Sequence, residues 1–150
     1  MKIYLKKLAR CDDYLSERKR LIIVAGKRKT ATAKAVIKPG TGKVTVNGFP
    51  LEVFASEMAK EKMKEPLLLA GDKSKTIDFK INVKGGGFMS QAEAVRMAIV
   101  RGLIKWTRSA NVKRLFSDYE RTMLAGDPRR SESKKFGGPG PRRRKQKSYR

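Results

Sequence analysis

TIDFKINVKGGGFMSQAEAVRMAIVRGLIKW, residues 76–106, changes its hydrophobic period once, and that change decides the fold. Ile77, Phe79, Ile81 and Val83 alternate with Asp78, Lys80 and Asn82, the period of two that gives a strand one buried and one polar face. After Gly85-Gly86-Gly87 the spacing switches to three and four. Ala92, Val95, Ile99, Leu103 and Trp106 then form one helical stripe, with Arg101, Lys105 and Arg108 opposite. Ser90 followed by Glu93 has the spacing of a capping box and predicts a helix start there. A half-buried strand feeding an amphipathic helix needs more strands beside it and an apolar surface beneath the helix.

The flanking sequence supplies both. Leu21 to Ala25 (LIIVA) reads as a buried strand, and Gly26 to Lys29 as a tight basic corner. Ala31, Ala33, Ala35 and Ile37 fall on one face of the next strand, where small alanines let a helix approach closely. Val44 and Val46 belong to a short strand closed by Asn47-Gly48, a dipeptide that tolerates positive φ. Pro50 to Glu65 predicts a helix ended by Pro66. A last helix from about Asn111 to Leu124 would bury Val112, Leu115, Phe116, Tyr119 and Met123 and stop at Gly126 and Pro128. The expected class is α+β: a small β-sheet with two or three helices on one side, and an extended basic C-terminal tail. The organisation expected is an N-terminal extension over residues 1–20, a body over 21–126 and a tail over 127–150.

Charge directs the functional reading. The chain has 37 Lys and Arg against 14 Asp and Glu, a formal net charge of +23. The tail, DPRRSESKKFGGPGPRRRKQKSYR, holds ten basic residues against two acidic ones and only Phe136 and Tyr149 as large apolar groups. Such a segment cannot bury enough surface to offset its ordering entropy, so it is expected to order against a polyanion. Six basic residues without an intervening acid (Lys27, Arg28, Lys29, Lys34, Lys38, Lys43) extend the same preference to the body. An anionic membrane is the other conceivable partner, but no run of about 18 apolar residues exists.

Catalytic readings lack parts. Gly40-Thr41-Gly42-Lys43 resembles the end of a P-loop, but Ile37 replaces the first glycine and Val44 the metal-binding hydroxyl. Gly85 to Ser90 resembles a dinucleotide fingerprint whose sixth position is Ser rather than Gly or Ala. That loop is either a phosphate-binding helix start or simply a tight strand-to-helix turn. With no histidine and Cys11 alone, neither a histidine-based triad nor a zinc site is available, and no cofactor is expected. The two C-terminal helices lack the short glycine turn of a helix-turn-helix, so RNA is favoured over DNA.

Four collinear stretches carry a family resemblance: GKRKTATAKAVIKPGTGKVTVNG (26–48), EPLLLAG (65–71), VKGGGFMSQAEAVRMAIVRGL (83–103) and DYERTMLAGDPRRSESKKFGGPGPRRRKQKSYR (118–150). Together they resemble the ninth protein of the small ribosomal subunit, in its archaeal and eukaryotic form, from about Ile23 to Arg150. The resemblance implies a fold like the second domain of the fifth small-subunit protein. It also implies a non-enzymatic, cytoplasmic ribosomal protein in the head of the subunit, beside neighbouring head proteins, on the 3′ major domain of the rRNA. It implies rRNA contacts at the Lys27-Arg28-Lys29 corner, at Gly85, Gly86 and Gly87, and at the turn holding Arg129 and Arg130. Lys34, Lys43, Arg101, Lys134, Lys135, Arg142, Arg143 and Arg144 join the expected rRNA set. It further implies that the tail threads toward the peptidyl site, with Lys147, Tyr149 and Arg150 nearest the tRNA. Residues 1–20 look longer and more charged than the usual start of this family.

Overall fold

The structure, a computed structural model, describes residues 21–54 and 56–149; the expected N-terminal extension and Arg150 lie outside them. Its centre is the strand–helix pair read above. Strands β1 (Ile22–Arg28), β2 (Ala31–Pro39), β3 (Val44–Val46), β4 (Phe49–Pro50) and β5 (Ile77–Lys84) form one sheet in the order β1-β2-β5-β3-β4. All neighbours are antiparallel except β3 and β5, which run parallel. Helices α1 (Leu51–Phe54), α2 (Glu57–Ala70), α3 (Phe88–Thr107), α4 (Ala110–Tyr119) and α5 (Thr122–Ala125) complete the α+β architecture.

One sheet face is covered and the other is open. Val24, the three alanines of β2, Ile37, Ile77, Phe79, Ile81 and Val83 are buried, together with Ala94, Val95, Ala98, Ile99 and Leu103 of α3. Alanines on β2 bring α3 close, and glycines bring it closer. A Cβ on Gly26 would lie 2.1 Å from the Ala94 carbonyl oxygen, and one on Gly102 would lie 2.5 Å from Ile37 Cδ1. Of the residues between, Lys34, Lys38, Lys80 and Lys84 are exposed on the opposite face, and Thr32, Val36 and Asp78 are half-buried.

Asn47 and Gly48 both take positive φ and turn β3 into β4 as the dipeptide predicts. The Asn47 carboxamide accepts from Val83 N (2.8 Å) and donates to Val83 O (3.3 Å), extending the β3–β5 ladder through a side chain.

Several local expectations are corrected. The apolar run at the start of β1 is buried on one face only: Val24 is 5% exposed and Ile23 62%. The strand continues to Arg28, so the corner is confined to Lys29 and Thr30. Pro66 does not end α2; it is buried inside the helix, which runs on to Ala70, and a separate short turn, α1, precedes it. A proline costs one backbone hydrogen bond; burial of Met63 and Pro66 offsets it here. The capping box is absent as well. α3 begins at Phe88 with Gly87 as its N-cap and no side-chain cap, because the glycines bring the chain into the helix three residues early. The helix expected over residues 111–124 is broken at Glu120, whose backbone is extended, and Leu115 and Tyr119 are exposed. Glu120 leaves the helix to reach Arg96 at 2.5 Å, a partner 24 residues away.

Candidate nucleic-acid interface

Gly85 and Gly86 adopt φ of 77° and 70°, values that side-chain-bearing residues rarely take. Their loop presses on the β1–β2 turn: a Cβ on Gly85 would lie 2.7 Å from the Thr30 carbonyl oxygen. Close approach is therefore one reason for these glycines. Gly87 has no such neighbour. The result is a basic end of the sheet, where Lys27, Lys29 and Lys84 are exposed. Gln91 is the first amide bonded along α3, to Gly87 O at 2.9 Å. The amides of Phe88, Met89 and Ser90 precede it at the positive end of a 20-residue helix, where the first turn has no intrahelical acceptor.

Arg28, at the same corner, faces inward. Its guanidinium bonds Glu93 at 2.5 Å and Asp127 at 2.9 Å, and it also donates to the Asp127 and Arg129 carbonyls at 3.4 Å. Asp127 in turn accepts from the Arg129 amide (2.9 Å) and guanidinium (3.1 Å). These donors, the Arg129 amide first, hold the Asp127 carboxyl below the ordinary aspartate range. Arg101 behaves similarly. It donates twice to Leu124 O (3.1 and 2.9 Å) and once to Ala25 O (2.9 Å), tying α5 to β1. Two arginines expected at the interface thus fix where the tail leaves the body. Sequence reading missed the partners Glu93 and Asp127; only the turn-forming Asp-Pro-Arg at 127–129 signalled a constrained site.

Lys34 and Lys43 are exposed, as are Arg129, Arg130, Lys134, Lys135, Arg142, Arg143, Arg144, Lys147 and Tyr149. Within the tail, Arg142 pairs with Glu132 at 2.5 Å, and Lys145 N reaches Gly137 O at 3.2 Å, closing a loop. Phe136 on that loop is fully exposed. Arg28 and Arg129 line one cleft, and Lys135, Arg142, Arg143 and Arg144 line another that Lys147 and Tyr149 do not enter, so the expected rRNA and tRNA residues do not share one pocket. Among the described residues no three His, Cys, Asp or Glu side chains cluster as metal ligands, and no helix is long and apolar enough to cross a membrane.

The family profile described as Ribosomal protein S9/S16 matches residues 26–150. The chain belongs to this ribosomal protein family. Its similarity to archaeal relatives is extensive. Small ribosomal subunit protein uS9 of Desulfurococcus amylolyticus is 56% identical over 136 residues, covering 91% of this chain and 97% of the relative. The protein of the same name from Pyrobaculum aerophilum is 51% identical over 138 residues (92% and 97%), and that from Aeropyrum pernix 48% over 147 residues (87% and 97%). The family match begins at Gly26, the β1 glycine on which α3 rests, and runs through the whole tail.

Proposed function

We propose that the chain is a non-catalytic structural constituent of the small ribosomal subunit in the cytoplasm, bound to rRNA in the head beside neighbouring head proteins. The observation that carries this reading is the tail. It has a net charge of +8 and is almost wholly exposed, and it is rooted to a folded body through Arg28 and Asp127. A basic strand fixed at one end suits threading between RNA segments better than free diffusion along one.

In this reading Lys27, Lys29, Lys34, Lys43, Arg130, Lys134, Lys135, Arg143 and Arg144 meet rRNA phosphates. Arg129 and Arg142 join them from the tail, and Gly85 to Gly87 present the start of α3. Arg28 and Arg101 contribute by holding the tail root and α5 beside these groups. Phosphate contacts carry no sequence information, which suits a tail end that must accept every tRNA. Lys147, Tyr149 and Arg150 are assigned to the tRNA at the peptidyl site, where arginine can fork onto phosphate and tyrosine can stack on an unpaired base. The test is deletion of residues 148–150. Subunits carrying the shortened chain should assemble normally and release peptidyl-site tRNA faster than intact ones. Equal tRNA retention would remove the tRNA assignment and leave the rRNA role standing.

A further inference from the structure

Beyond Lys27 and Lys84 at the basic end of the sheet, its open face also carries Lys34, Lys38 and Lys80. Strand register places its residues in rows: Lys27–Thr32–Lys84, then Ala25–Lys34–Asn82, then Ile23–Val36–Lys80–Thr45, then Lys38–Asp78. At about 4.8 Å between strands and about 3.3 Å per residue, five lysines occupy a patch of roughly 10 by 20 Å. None of the five has a carboxylate within ion-pair distance among the described residues. The one acid on the face, Asp78, is occupied: it accepts the backbone amides of Thr41 (2.8 Å) and Lys43 (2.9 Å).

The helical side of the molecule differs. There Glu57, Glu61 and Glu65 interleave with Lys60, Lys62 and Lys64 along α2, and Arg96 pairs with Glu65 and Glu120. Like charges crowded on neighbouring strands destabilise a sheet unless an anion lies across them. The face displays Ile23, Ala25 and Val36 between its lysines and has no aromatic side chain among the described residues. It therefore lacks the stacking platform with which sheets hold single-stranded bases. Lysine is a point charge on a flexible stem and reads phosphate rather than base edges.

We propose that this face, with Lys27, Lys34, Lys38, Lys80 and Lys84 as its contacts, docks the body onto the phosphate backbone of an RNA duplex. The inference rests on the proposed rRNA-binding role and adds the docking face and the form of RNA to it. It orients the molecule: sheet toward RNA, α2 and α4 away from it.

The test uses the full-length chain and two triple variants, Lys34→Gln/Lys80→Gln/Lys84→Gln on the face and Lys64→Gln/Lys105→Gln/Lys113→Gln on the helices. Binding to an RNA hairpin duplex and to an unpaired RNA of equal length is measured from 50 to 200 mM salt. Each duplex phosphate contact adds about 0.9 to the steepness of the log–log salt dependence, so losing three contacts flattens it by about 2.7. Across that range the native chain's duplex affinity should then fall about 40-fold further than the face variant's. The helix-side variant should keep the native slope, and the difference should be small on unpaired RNA. The glutamines replace exposed lysines that repel one another, so loss of folding does not confound the result. In assembled subunits, Lys34, Lys80 and Lys84 should resist acetylation while Lys64 stays reactive. Equal slopes for the two triples would overturn the proposal while leaving rRNA binding through the tail intact. Failure of the native chain to bind either RNA would overturn both readings. Protection of the face lysines in subunits without any loss of duplex binding by the face variant would assign the face to an acidic protein surface instead.

Discussion

Replacing Gly26 by alanine tests whether α3 rests on β1 as described. The added methyl would sit 2.1 Å from the Ala94 carbonyl oxygen and 2.8 Å from the Ala98 amide nitrogen, both backbone atoms of a buried helix. Relief requires α3 to move by about 1 Å as a unit, since rotamer changes cannot shift a carbonyl in a close-packed layer. That movement loosens the contacts of Val95, Ala98 and Ile99, all fully buried. Overpacking ordinarily costs about 1–3 kcal/mol, and a backbone obstacle places this case at or above the upper end. For a body of about 100 residues, roughly 3 kcal/mol lowers the melting temperature by about 12–24 °C. Gly102→Ala is the matched comparison. Its methyl meets the ends of flexible side chains, Ile37 Cδ1 at 2.5 Å and Phe79 Cε1 at 3.0 Å. A gain of about 1 kcal/mol in helix propensity offsets much of that strain. Thermal unfolding followed by circular dichroism should separate the two variants clearly. Equal melting temperatures, or a Gly26→Ala variant as stable as the native chain, would refute the packing argument.

The tail root gives two further predictions. Arg28→Met removes the cation facing both Glu93 and Asp127 and should cost about 1–2 kcal/mol, partial exposure reducing the usual value of charged hydrogen bonds. Trypsin should cut after Arg129 and Arg130 faster in that variant than in the native chain, and unchanged cleavage would show that Arg28 does not hold the tail. For pH, the folded Asp127 carboxyl is depressed, so its contribution is present above its unfolded pKa and is lost as pH falls through the lower folded value. Carboxyl NMR should therefore show Asp127 titrating below an ordinary aspartate and shifting upward in Arg28→Met; an ordinary midpoint in the native chain would contradict the described bonding.

Much of this architecture was legible because local pattern and burial agree. β5 alternates without exception and α3 carries an unbroken stripe, so the two elements that build the core could be read from residues 76–106 alone. What sequence hid was long-range. Pro66 stays inside α2 because Met63 and Pro66 are buried with the rest of the core, and Glu120 breaks the last helix because Arg96 is there to receive it. Ser90 and Glu93 have the right spacing for a cap, yet Glu93 is drawn instead to Arg28, 65 residues away. The candidate interface was legible as charge and hidden as geometry. Lys34 and Lys38 stood out in an acid-free run, whereas Lys80 and Lys84 joined them only once β5 paired with β2. For Arg28 and Arg101 a sequence shows the charge and not the carboxylates and carbonyls that hold them in the fold.

The central claim is that this chain resides in the small ribosomal subunit, held by a docked body as well as a tail. Sedimentation of lysate at rising salt, with the chain tracked across the gradient, tests it most directly. Eight tail contacts to single-stranded phosphates alone would give a log–log slope of about −5 to −6, and the chain would strip away steeply. The account predicts retention in the small-subunit peak at high salt. Loss from that peak as salt rises, or no peak at all, would contradict it and leave a free-standing RNA-binding protein.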